Sequence, residues 1–519
     1  MLPDRNAPHR TPALQVVARL LLALFSAATH PLCAADTTDL VRTADSLAIS
    51  NGSQACSDDS LKALTRLTVA GTIFSNQFVS PRFPCGGTLQ IGARTPAATA
   101  LPDRLNHDAT LVFSGGYLFY AGQGLDDRVF HPGETAVVEQ VRQLQFLSGM
   151  SELRIENGND VSRSTTLLAN DPTDGVLRQP GATVVISGDE KRSKAGNNTA
   201  AGVQPGFSTT LGAAERLVVA SGMAKHLKGA GGAAGTTNRS IIPWMTIGSY
   251  QHPGMGGVAT YDPEAGVRCL SISEYDRKIL GTPDRNVWAE SLELGENKTQ
   301  TVNALVFIPY YSSQIGAGST LTITSGFLQF GQRGPSAIGS HPQGGDYLST
   351  GTIDFGAAEG VIWTCFEAEW GPNVIGPVIA GSGGLTIAGS NTLILQAANT
   401  YTGTTCVGDG VLQIGDAQPT RARLGAGDVH IAAGAMLRIK GNVVDAISDR
   451  ATVTLLAAGT AFAGVMDLEA GVDEAVAGLV VDGKAQAPGT YGSTASAAAH
   501  KLDRYFSGSG VLTVRAAPH

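Results

Sequence analysis

Two pairs of neighbouring aspartates are the first residues whose type and spacing could do chemistry. Asp58-Asp59 and Asp126-Asp127 offer paired carboxylates, and inverting hydrolysis of a glycosidic bond needs an acid and a base about 6.5–9.5 Å apart. Asp126-Asp127 lies in a turn-like Gly-Leu-Asp-Asp-Arg stretch, and Asp58-Asp59 lies far upstream of any clear repeat. Because aspartate is common in solvated turns, the sequence favours turn acids over a catalytic pair.

Arg438-Ile439-Lys440 adds a third element to this comparison. Parallel β-helices often cleave polysaccharides, and these residues together with the aspartate pairs resemble pieces of the polygalacturonase pattern. The Asn-Thr-Asp and Gly-His-Gly elements of that pattern do not occur in the sequence. The resemblance is therefore partial, and no catalytic residue is predicted.

Motifs built on histidine, serine or glycine predict no further site. The ten histidines form no HExxH or HxH arrangement, and His30, His131, His252 and His341 each precede proline, which favours extended or turn backbone. The sequence has no Gly-x-Ser-x-Gly elbow and no P-loop. Gly344-Gly345-Asp346 is a fragment of a calcium-binding nonapeptide that does not repeat. No metal and no cofactor are predicted.

Large aromatic side chains are the remaining candidates, since they could offer stacking platforms for sugar rings. They are Trp244, Tyr250, Trp288, Tyr310, Tyr311, Trp363 and Trp370. Large aromatics more often fill a core, so packing is the favoured interpretation and sugar binding the alternative.

The composition indicates what kind of framework must position these residues. The chain has 519 residues with 65 glycines, and only 15% of its residues are charged. Glycine supplies the positive φ angles of tight turns, so this composition suits many short strands joined by turns. The net charge of -8 opposes binding to nucleic acid, which needs a basic surface.

The first 35 residues have the pattern of a secretory signal peptide. Arg5, Arg10 and Arg19 precede the apolar run Leu20–Ala28, and small residues end at Ala35. A nine-residue run is too short to span a bilayer, which needs about 20 residues. We therefore expect cleavage near Ala35 and export, with no transmembrane segment in the mature chain. A lipid anchor at Cys33 is the alternative.

The number and spacing of the cysteines do not match a set of disulfides or of metal ligands. Without Cys33, the widely spaced residues Cys56, Cys85, Cys269, Cys365 and Cys406 remain, an odd number with no CxxC spacing. Cys56 and Cys85 could close one loop in an oxidising compartment. Free thiols are the equally weighted alternative.

Short runs of alternating apolar residues recur along the chain and end at Gly, Asn or Asp. Alternation places one apolar row inward and a polar row outward in a strand. The runs are Thr88–Gly92, Ala109–Tyr120, Met150–Gly158, Ala182–Gly188, Thr320–Phe330 and Gly351–Gly356. Helical periodicity is nearly absent, and the Gly/Ala/Asn-rich segments Lys191–Gly206 and Lys228–Arg239 are predicted loops.

Residues 380–415 form the clearest unit of this kind. Its predicted inward side chains are Leu385, Ile387, Leu393, Leu395, Val407, Leu412 and Ile414. These side chains bury too little apolar surface to order the whole unit alone, so it must stack on similar turns of chain, as in a solenoid. Asn399 could stack in an amide ladder, but an isolated turn residue is favoured.

The same unit resembles the autotransporter-associated β-strand repeat, also called the passenger-associated transport repeat. The matching parts are Gly383–Thr386, Gly389–Leu395, Asn399–Gly403 and Gly410–Gly415, with departures at Thr404 and Cys406. Weaker similarity to large exported proteins of Verrucomicrobia-like bacteria covers five segments: Ile242–Leu270, Val302–Gly356, Val361–Trp363, Val374–Ala380 and Gly478–Val514. The resemblance implies a right-handed parallel β-helix, export and a surface or secreted location, but no defined activity. The usual translocator barrel and Pro-Glu-Pro sorting tail are not recognised, so a separate outer-membrane partner is an option.

The expected fold is all-β: a right-handed parallel β-helix with irregular N-terminal rungs and a C-terminal β cap. Its predicted parts are a signal peptide (1–35), an irregular β-rich region (36–300), a regular solenoid (301–440) and the cap (441–519). The predicted function is a non-catalytic surface scaffold or adhesive module that contacts extracellular polysaccharide or cell-surface components. The alternative is a carbohydrate-active β-helix with its site in Ala109–Leu270.

Overall fold

The computed structural model describes fourteen stretches of the chain. They are residues 39–56, 59–73, 86–91, 104–121, 136–156, 164–188, 215–248, 257–279, 281–307, 313–330, 337–338, 350–364, 371–416 and 421–516. The predicted signal peptide therefore lies outside the described residues. Within these stretches the helical elements are single 3-10 turns at Asp59–Leu61, Met223–His226 and Ile272–Glu274, and no helix there is long and apolar enough to cross a membrane.

The first part of the chain forms short strands. They are β1 (Asp39–Arg42), β2 (Ser46–Asn51), β3 (Ser53–Cys56), β4 (Arg66–Ala70), β5 (Thr88–Ile91), β6 (Thr110–Ser114), β7 (Tyr117–Ala121), β8 (Ala136–Val141), β9 (Gln143–Phe146), β10 (Met150–Glu156), β11 (Ser164–Ala169), β12 (Val176–Arg178), β13 (Thr183–Ser187), β14 (Glu215–Val219), β15 (Met245–Ile247), β16 (Gly257–Asp262) and β17 (Gly266–Cys269).

The second part continues in the same way. Its strands are β18 (Asn286–Ala289), β19 (Glu293–Leu294), β20 (Thr299–Phe307), β21 (Gln314–Ile315), β22 (Thr320–Phe330), β23 (Ala337–Ile338), β24 (Thr352–Asp354), β25 (Gly360–Trp363), β26 (Asn373–Ile375), β27 (Val378–Ala380), β28 (Leu385–Ala388), β29 (Thr392–Leu395), β30 (Thr405–Val407), β31 (Val411–Ile414), β32 (Val429–Ile431), β33 (Met436–Ile439), β34 (Thr452–Leu455), β35 (Ala457–Ala458), β36 (Phe462–Ala463), β37 (Val465–Leu468), β38 (Asp473–Val476), β39 (Gly478–Val481), β40 (Lys484–Ala485), β41 (Gly489–Gly492), β42 (His500–Lys501), β43 (Phe506–Ser507) and β44 (Val511–Val514).

Three mainly parallel sheets make up what we call the first stack. Sheet I has the order β1-β2-β4-β6-β9-β12, sheet II the order β3-β5-β7-β10-β13-β15-β16-β17, and sheet III the order β8-β11-β14. From β6 to β14 the chain visits sheets I, II and III in rotation, three times. In-register pairs such as Leu118–Leu153 and Leu153–Ile186 bring apolar side chains over one another. These three residues are at most 1% exposed.

The second stack begins at β18. Sheet IV has twelve strands. Ten of them follow the order β18-β20-β22-β25-β28-β30-β32-β34-β39-β40, and β24 and β27 lie beside this path. Sheet V has the order β23-β26-β29-β31-β33-β37-β43. The four-stranded sheet VI (β38-β44-β41-β42) mixes parallel and antiparallel pairs. The molecule is thus all-β, as the alternating pattern predicts, and its strands are mostly parallel, as the resemblance of residues 380–415 implies. All seven predicted inward side chains of residues 380–415 are at most 1% exposed.

The two stacks lie side by side and run in opposite directions. A residue that comes earlier in the first stack bonds to a residue that comes later in the second. The bonded pairs are Asp39–Thr460, Thr72–Asp409, Arg178–Glu359 and Arg239–Asn286, at 2.7, 3.0, 2.6 and 2.8 Å. Since stability of such stacks comes from neighbouring turns, this contact adds long-range support that neither stack has alone.

A separate apolar core fills the contact between the stacks. It joins the outer faces of sheets II and IV, so those faces are buried as well as the interiors. Its members are Ile73, Met150, Val185, Ile241, Val258, Leu270, Tyr275, Trp288, Ala304, Val306, Phe327, Val361, Trp363 and Ala388. Parallel sheets are generally covered on both faces, and here each stack covers the other.

Backbone approaches closely at Gly181, on the first stack. Its φ is +86°, and a Cβ there would lie 2.6 Å from the Cys406 sulfur on the second stack. A side chain cannot fit in that space, and positive φ is costly for other residues. Glycine at this position therefore permits the contact between the stacks.

The sequence placed several local features correctly. The dipeptide Asp482-Gly483 favours a type I′ turn between two strands. In the structure these residues have φ values of 47° and 74° and join the antiparallel strands β39 and β40. Lys228–Arg239 contains no strand beyond one isolated bridge at Lys228. The other predicted loop, residues 191–206, lies outside the described residues.

Candidate functional site

The structure describes only one of the four aspartates that were considered as acid–base candidates. Asp58, Asp126 and Asp127 lie outside the described residues, as do Gly344–Asp346; Asp59 opens the 3-10 turn Asp59–Leu61. His30, His131, His252 and His341 are outside them too. Among the described residues, no three His, Cys, Asp or Glu side chains group as metal ligands would.

Arg438 in β33 and Lys440 just after it each pair with an acid of the neighbouring segment, Asp467 in β37 and Glu469 just after that strand. Arg438 Nε lies 2.7 Å from Asp467 Oδ2, and Lys440 Nζ lies 2.5 Å from Glu469 Oε1. The Ser507 hydroxyl donates to the other oxygen of Asp467 at 2.8 Å. These cations are therefore bound to carboxylates of the next strand, in a cross-strand ladder that stabilises sheet V.

Three of the seven aromatic candidates are packing residues. Trp244, Trp288 and Trp363 are 3%, 5% and 0% exposed, and Trp363 donates its ring N–H to the Pro243 carbonyl across the stack contact at 3.1 Å. This confirms the packing interpretation for the three. Tyr250, Tyr310, Tyr311 and Trp370 lie outside the described residues.

Asn399 lies outside the strands and bonds to no other side-chain amide in the described residues, as the turn prediction has it, but its side chain is buried. It is 5% exposed; its Oδ1 accepts the Ile379 N–H at 2.8 Å, and its amide N–H donates to the Arg423 carbonyl at 2.7 Å. The side chain thus bridges the turn of chain before it and the turn after it. Burial explains this, because a buried amide must find partners for both ends.

Gln413 also differs from its expected environment. It lies on the outer side of β31, between Ile394 and Arg438 in register, yet it is only 9% exposed. Its amide donates to the Gly415 carbonyl at 2.9 Å. An outward position in the strand pattern therefore did not mean a solvated side chain.

Interior carboxylates hold backbone turns in both stacks, a feature that the sequence analysis missed. Glu139 accepts the N–H groups of Arg104 and Leu105 at 3.0 and 2.9 Å. Glu474 accepts those of Ala446 and Ile447 at 3.0 and 2.9 Å. Each glutamate occupies an inward position of an alternating strand, which is the signal that could have found it.

Glu474 gives the stability of this protein a dependence on pH. The pKa of Glu474 is raised to about 7, mainly by burial and also by the nearby Asp445 and Asp449, although the two N–H donors lower it. The unfolded chain releases this proton near pH 4.5, so unfolding free energy should fall as pH rises from about 4.5 to 7. The shift corresponds to about 3 kcal/mol. Urea unfolding across pH 4.5–8 should show this slope in the wild type.

Glu474→Gln should remove that slope, because an amide does not titrate. Glu290→Gln is the control, since the Glu290 side chain is 55% exposed. An equal slope in wild type and Glu474→Gln would contradict the assignment.

A row of charged residues lies on the outer side of β10 in the first stack. Glu152, Arg154 and Glu156 alternate with the inward Leu153 and Ile155, which are fully buried. Ser187 donates to Glu152 at 2.5 Å. We call Glu152, Arg154 and Glu156, with Tyr117, Phe119 and Ser187 beside them, the β10 charge row.

The geometry of the β10 charge row fits a structural role. Glu152 and Glu156 are four residues apart on an extended strand, or about 13 Å, beyond the separations that glycosidases use. Arg154 forms an ion pair with Glu156 and lies 5.7 Å from the Phe119 ring centre. Glu152 is 0% exposed. Buried charges of this kind are tolerated when they are paired.

The two described thiols are poor nucleophiles. Burial raises the pKa of Cys269 to about 12, and burial with the Glu359 carboxylate does the same for Cys406. His430 is the register neighbour of Cys406 in sheet IV, but nucleophilic attack requires the thiolate. The side chain of Cys56 and the whole of Cys85 lie outside what the structure describes, so their pairing stays a prediction.

Comparison with known proteins adds no relative. No protein-family model, no curated protein and no solved structure matches this chain.

Proposed function

We propose that this protein is a non-catalytic, exported scaffold or adhesive module built as a β-solenoid. Each stack is then a right-handed parallel β-helix, with irregular N-terminal rungs, and sheet VI is its C-terminal cap. The rotation of the chain through sheets I–III and the in-register parallel pairs support this. A cap is expected because the last turn of a solenoid exposes strand edges.

The observation that carries the proposal is the apolar core between the antiparallel stacks. It buries Phe327 and Trp363 completely, and the Arg178–Glu359 ion pair lies beside it. A chain whose stacks support one another along their length is a stiff block, as display at a cell surface requires. Glu139 and Glu474 bind backbone N–H groups, and Arg178 pairs with Glu359, which are structural uses of ionisable groups.

Export and partners follow from the sequence and form part of the same proposal. The pattern of residues 1–35 directs the chain to a secreted or outer-surface location, with the periplasm as an alternative. Its partners are then extracellular polysaccharide or cell-surface components, and a separate outer-membrane protein could display it. The net charge of -8 argues against a nucleic-acid partner.

A carbohydrate-active β-helix is the second candidate. The β10 charge row favours it, because carboxylates, a guanidinium and aromatic rings meet on one sheet face within residues 109–270. The separation of Glu152 and Glu156 and their burial weigh against turnover there. The scaffold therefore remains the better-supported function.

The proposal predicts no release of reducing sugar from pectin, xylan, glucan or alginate, with or without calcium. It allows weak binding that strengthens with glycan length, since each surface hydrogen bond contributes only about 0.5–1.5 kcal/mol. Pull-down on insoluble glycans and a reducing-end assay on the same samples measure both quantities.

Three variants that remove paired carboxylates test for catalysis in that assay. They are Asp58→Asn/Asp59→Asn, Asp126→Asn/Asp127→Asn and Glu152→Gln/Glu156→Gln. The non-catalytic function is wrong if the wild type releases reducing sugar and any of these variants abolishes the release while keeping its thermal midpoint.

A further inference from the structure

The end of the first stack is stepped. Sheet III ends at β14, whereas sheet II continues past β13 through β15 and the antiparallel pair β16–β17. No further strand of sheet III follows β14 among the described residues. The β16–β17 hairpin packs over β14 instead, so closely that a Cβ on Gly266 would lie 2.2 Å from the Leu217 carbonyl oxygen. A cavity of about 590 Å³ occupies this step.

The walls of the cavity come from four short segments. They are the end of β14, the 3-10 turn at Met223–His226, the loop that follows it, and the end of β16. The residues that line the cavity are mostly apolar: Val218, Val219, Ala220, Met223, Ala224, Leu227 and Pro263. Val219 and Met223 also belong to the interior core of the first stack, where they are 4% and 3% exposed.

The polar side chains at the cavity wall are engaged with the protein. Tyr261 donates its hydroxyl to the Val219 carbonyl at 2.8 Å, and Ser221 donates to the Asp171 carbonyl at 2.7 Å. Arg239 donates to the carbonyls of Gly232 and Tyr261 at 3.1 and 2.7 Å. A ligand that depends on hydrogen bonds would have to break these contacts.

The charges near the cavity are balanced and fix its wall. Asp262 pairs with both Arg239 and Arg268, and Arg268 also pairs with Glu274 at 2.8 Å. Glu274 in turn accepts the Gly235 N–H of the loop at 2.8 Å. Two cations and two carboxylates leave no net charge to attract an ionic ligand, and the network holds the loop in place before any ligand arrives.

We propose that this cavity is a preformed site for a small uncharged ligand with an apolar ring or chain. The volume lies within the range of about 300–1,000 Å³ that is usual for small-molecule sites. Apolar walls, engaged polar groups and balanced charge all favour this class of ligand over a sugar or an anion. The site is independent of the scaffold function, and either can fail alone.

Nile red, a neutral apolar dye, is the probe for this site. Titration of the full-length protein should give saturable fluorescence with one site per chain. Ala220→Trp should weaken the binding at least 10-fold, because Ala220 is an exposed residue on the cavity wall and the indole would occupy the space. Val138→Trp is the matched control; Val138 is 46% exposed on sheet III and does not line the cavity.

Each outcome decides the proposal. Loss of binding in Ala220→Trp with retention in Val138→Trp, at equal thermal midpoints, supports it. Equal binding in both variants, or fluorescence that never saturates, overturns it. Displacement of the dye by methyl glucoside but not by cyclohexanol would overturn the class of ligand.

Discussion

Leu395→Asp is expected to destroy the cooperative fold of the second stack. Leu395 is 0% exposed and lies in register between Ile375 and Ile414. An aspartate there would lose the apolar contacts of leucine and leave a carboxylate without a partner among aliphatic side chains. We expect a loss of at least about 4 kcal/mol, enough to unfold a marginally stable domain. Urea unfolding followed by circular dichroism measures this loss.

Ile394, the residue before Leu395, provides a matched control, because isoleucine and leucine side chains contain the same atoms and differ only in branching. Ile394 is half-buried on the outer side of the same strand, so Ile394→Asp should cost about 1 kcal/mol. Equal losses at the two positions would show that the inward and outward rows of β29 are misassigned.

Glu359→Ala is the second change with a large expected effect, because it removes the ion pair that joins the stacks. Arg178 bonds to both oxygens of Glu359 at 2.6 and 2.8 Å. The Gly181 N–H and the Thr386 hydroxyl also donate to Glu359, at 3.1 and 2.5 Å. The Arg178 side chain is only 10% exposed, so alanine would leave a buried cation unpaired. The expected loss is about 3–5 kcal/mol.

The same contact should weaken in acid. Burial would raise the pKa of Glu359, but Arg178, Thr386 and Gly181 more than offset it and hold the pKa below its usual value. The stabilisation is therefore complete above about pH 4.5 and is lost as pH falls through the lowered pKa. Urea unfolding of wild type and Glu359→Ala should show their difference shrinking in acid.

Glu290→Ala is the control for Glu359→Ala. Arg277 and Glu290 form an ion pair at 3.5 Å in which both side chains are about half exposed, so the expected loss is about 0–1 kcal/mol. If both alanine variants lost the same stability, the side-by-side packing of the stacks would not depend on the buried pair.

The alternation of apolar residues by itself determined the strands and their inward rows. Thr320–Phe330 is β22 as predicted, and the Asp482-Gly483 turn follows from two residues that accept positive φ. These features are local, because neighbouring residues alone decide which side of a strand is apolar. Glycine content and the short runs likewise led to an all-β fold, whereas the expectation of parallel strands came from the resemblance of residues 380–415 to a repeat family.

Tertiary structure alone decided what covers the outer faces. Thr386 and Cys406 lie on the outer side of sheet IV, yet they are 1% and 7% exposed, because the first stack lies against them. The contacts responsible join residues 181 positions apart at Arg178–Glu359 and 337 apart at Thr72–Asp409. The residues that neighbour each of these positions in the sequence do not indicate such distant partners. The alternating pattern fixes which side of a strand faces its own interior, but whether the other side meets water or a second stack depends on how distant segments pack.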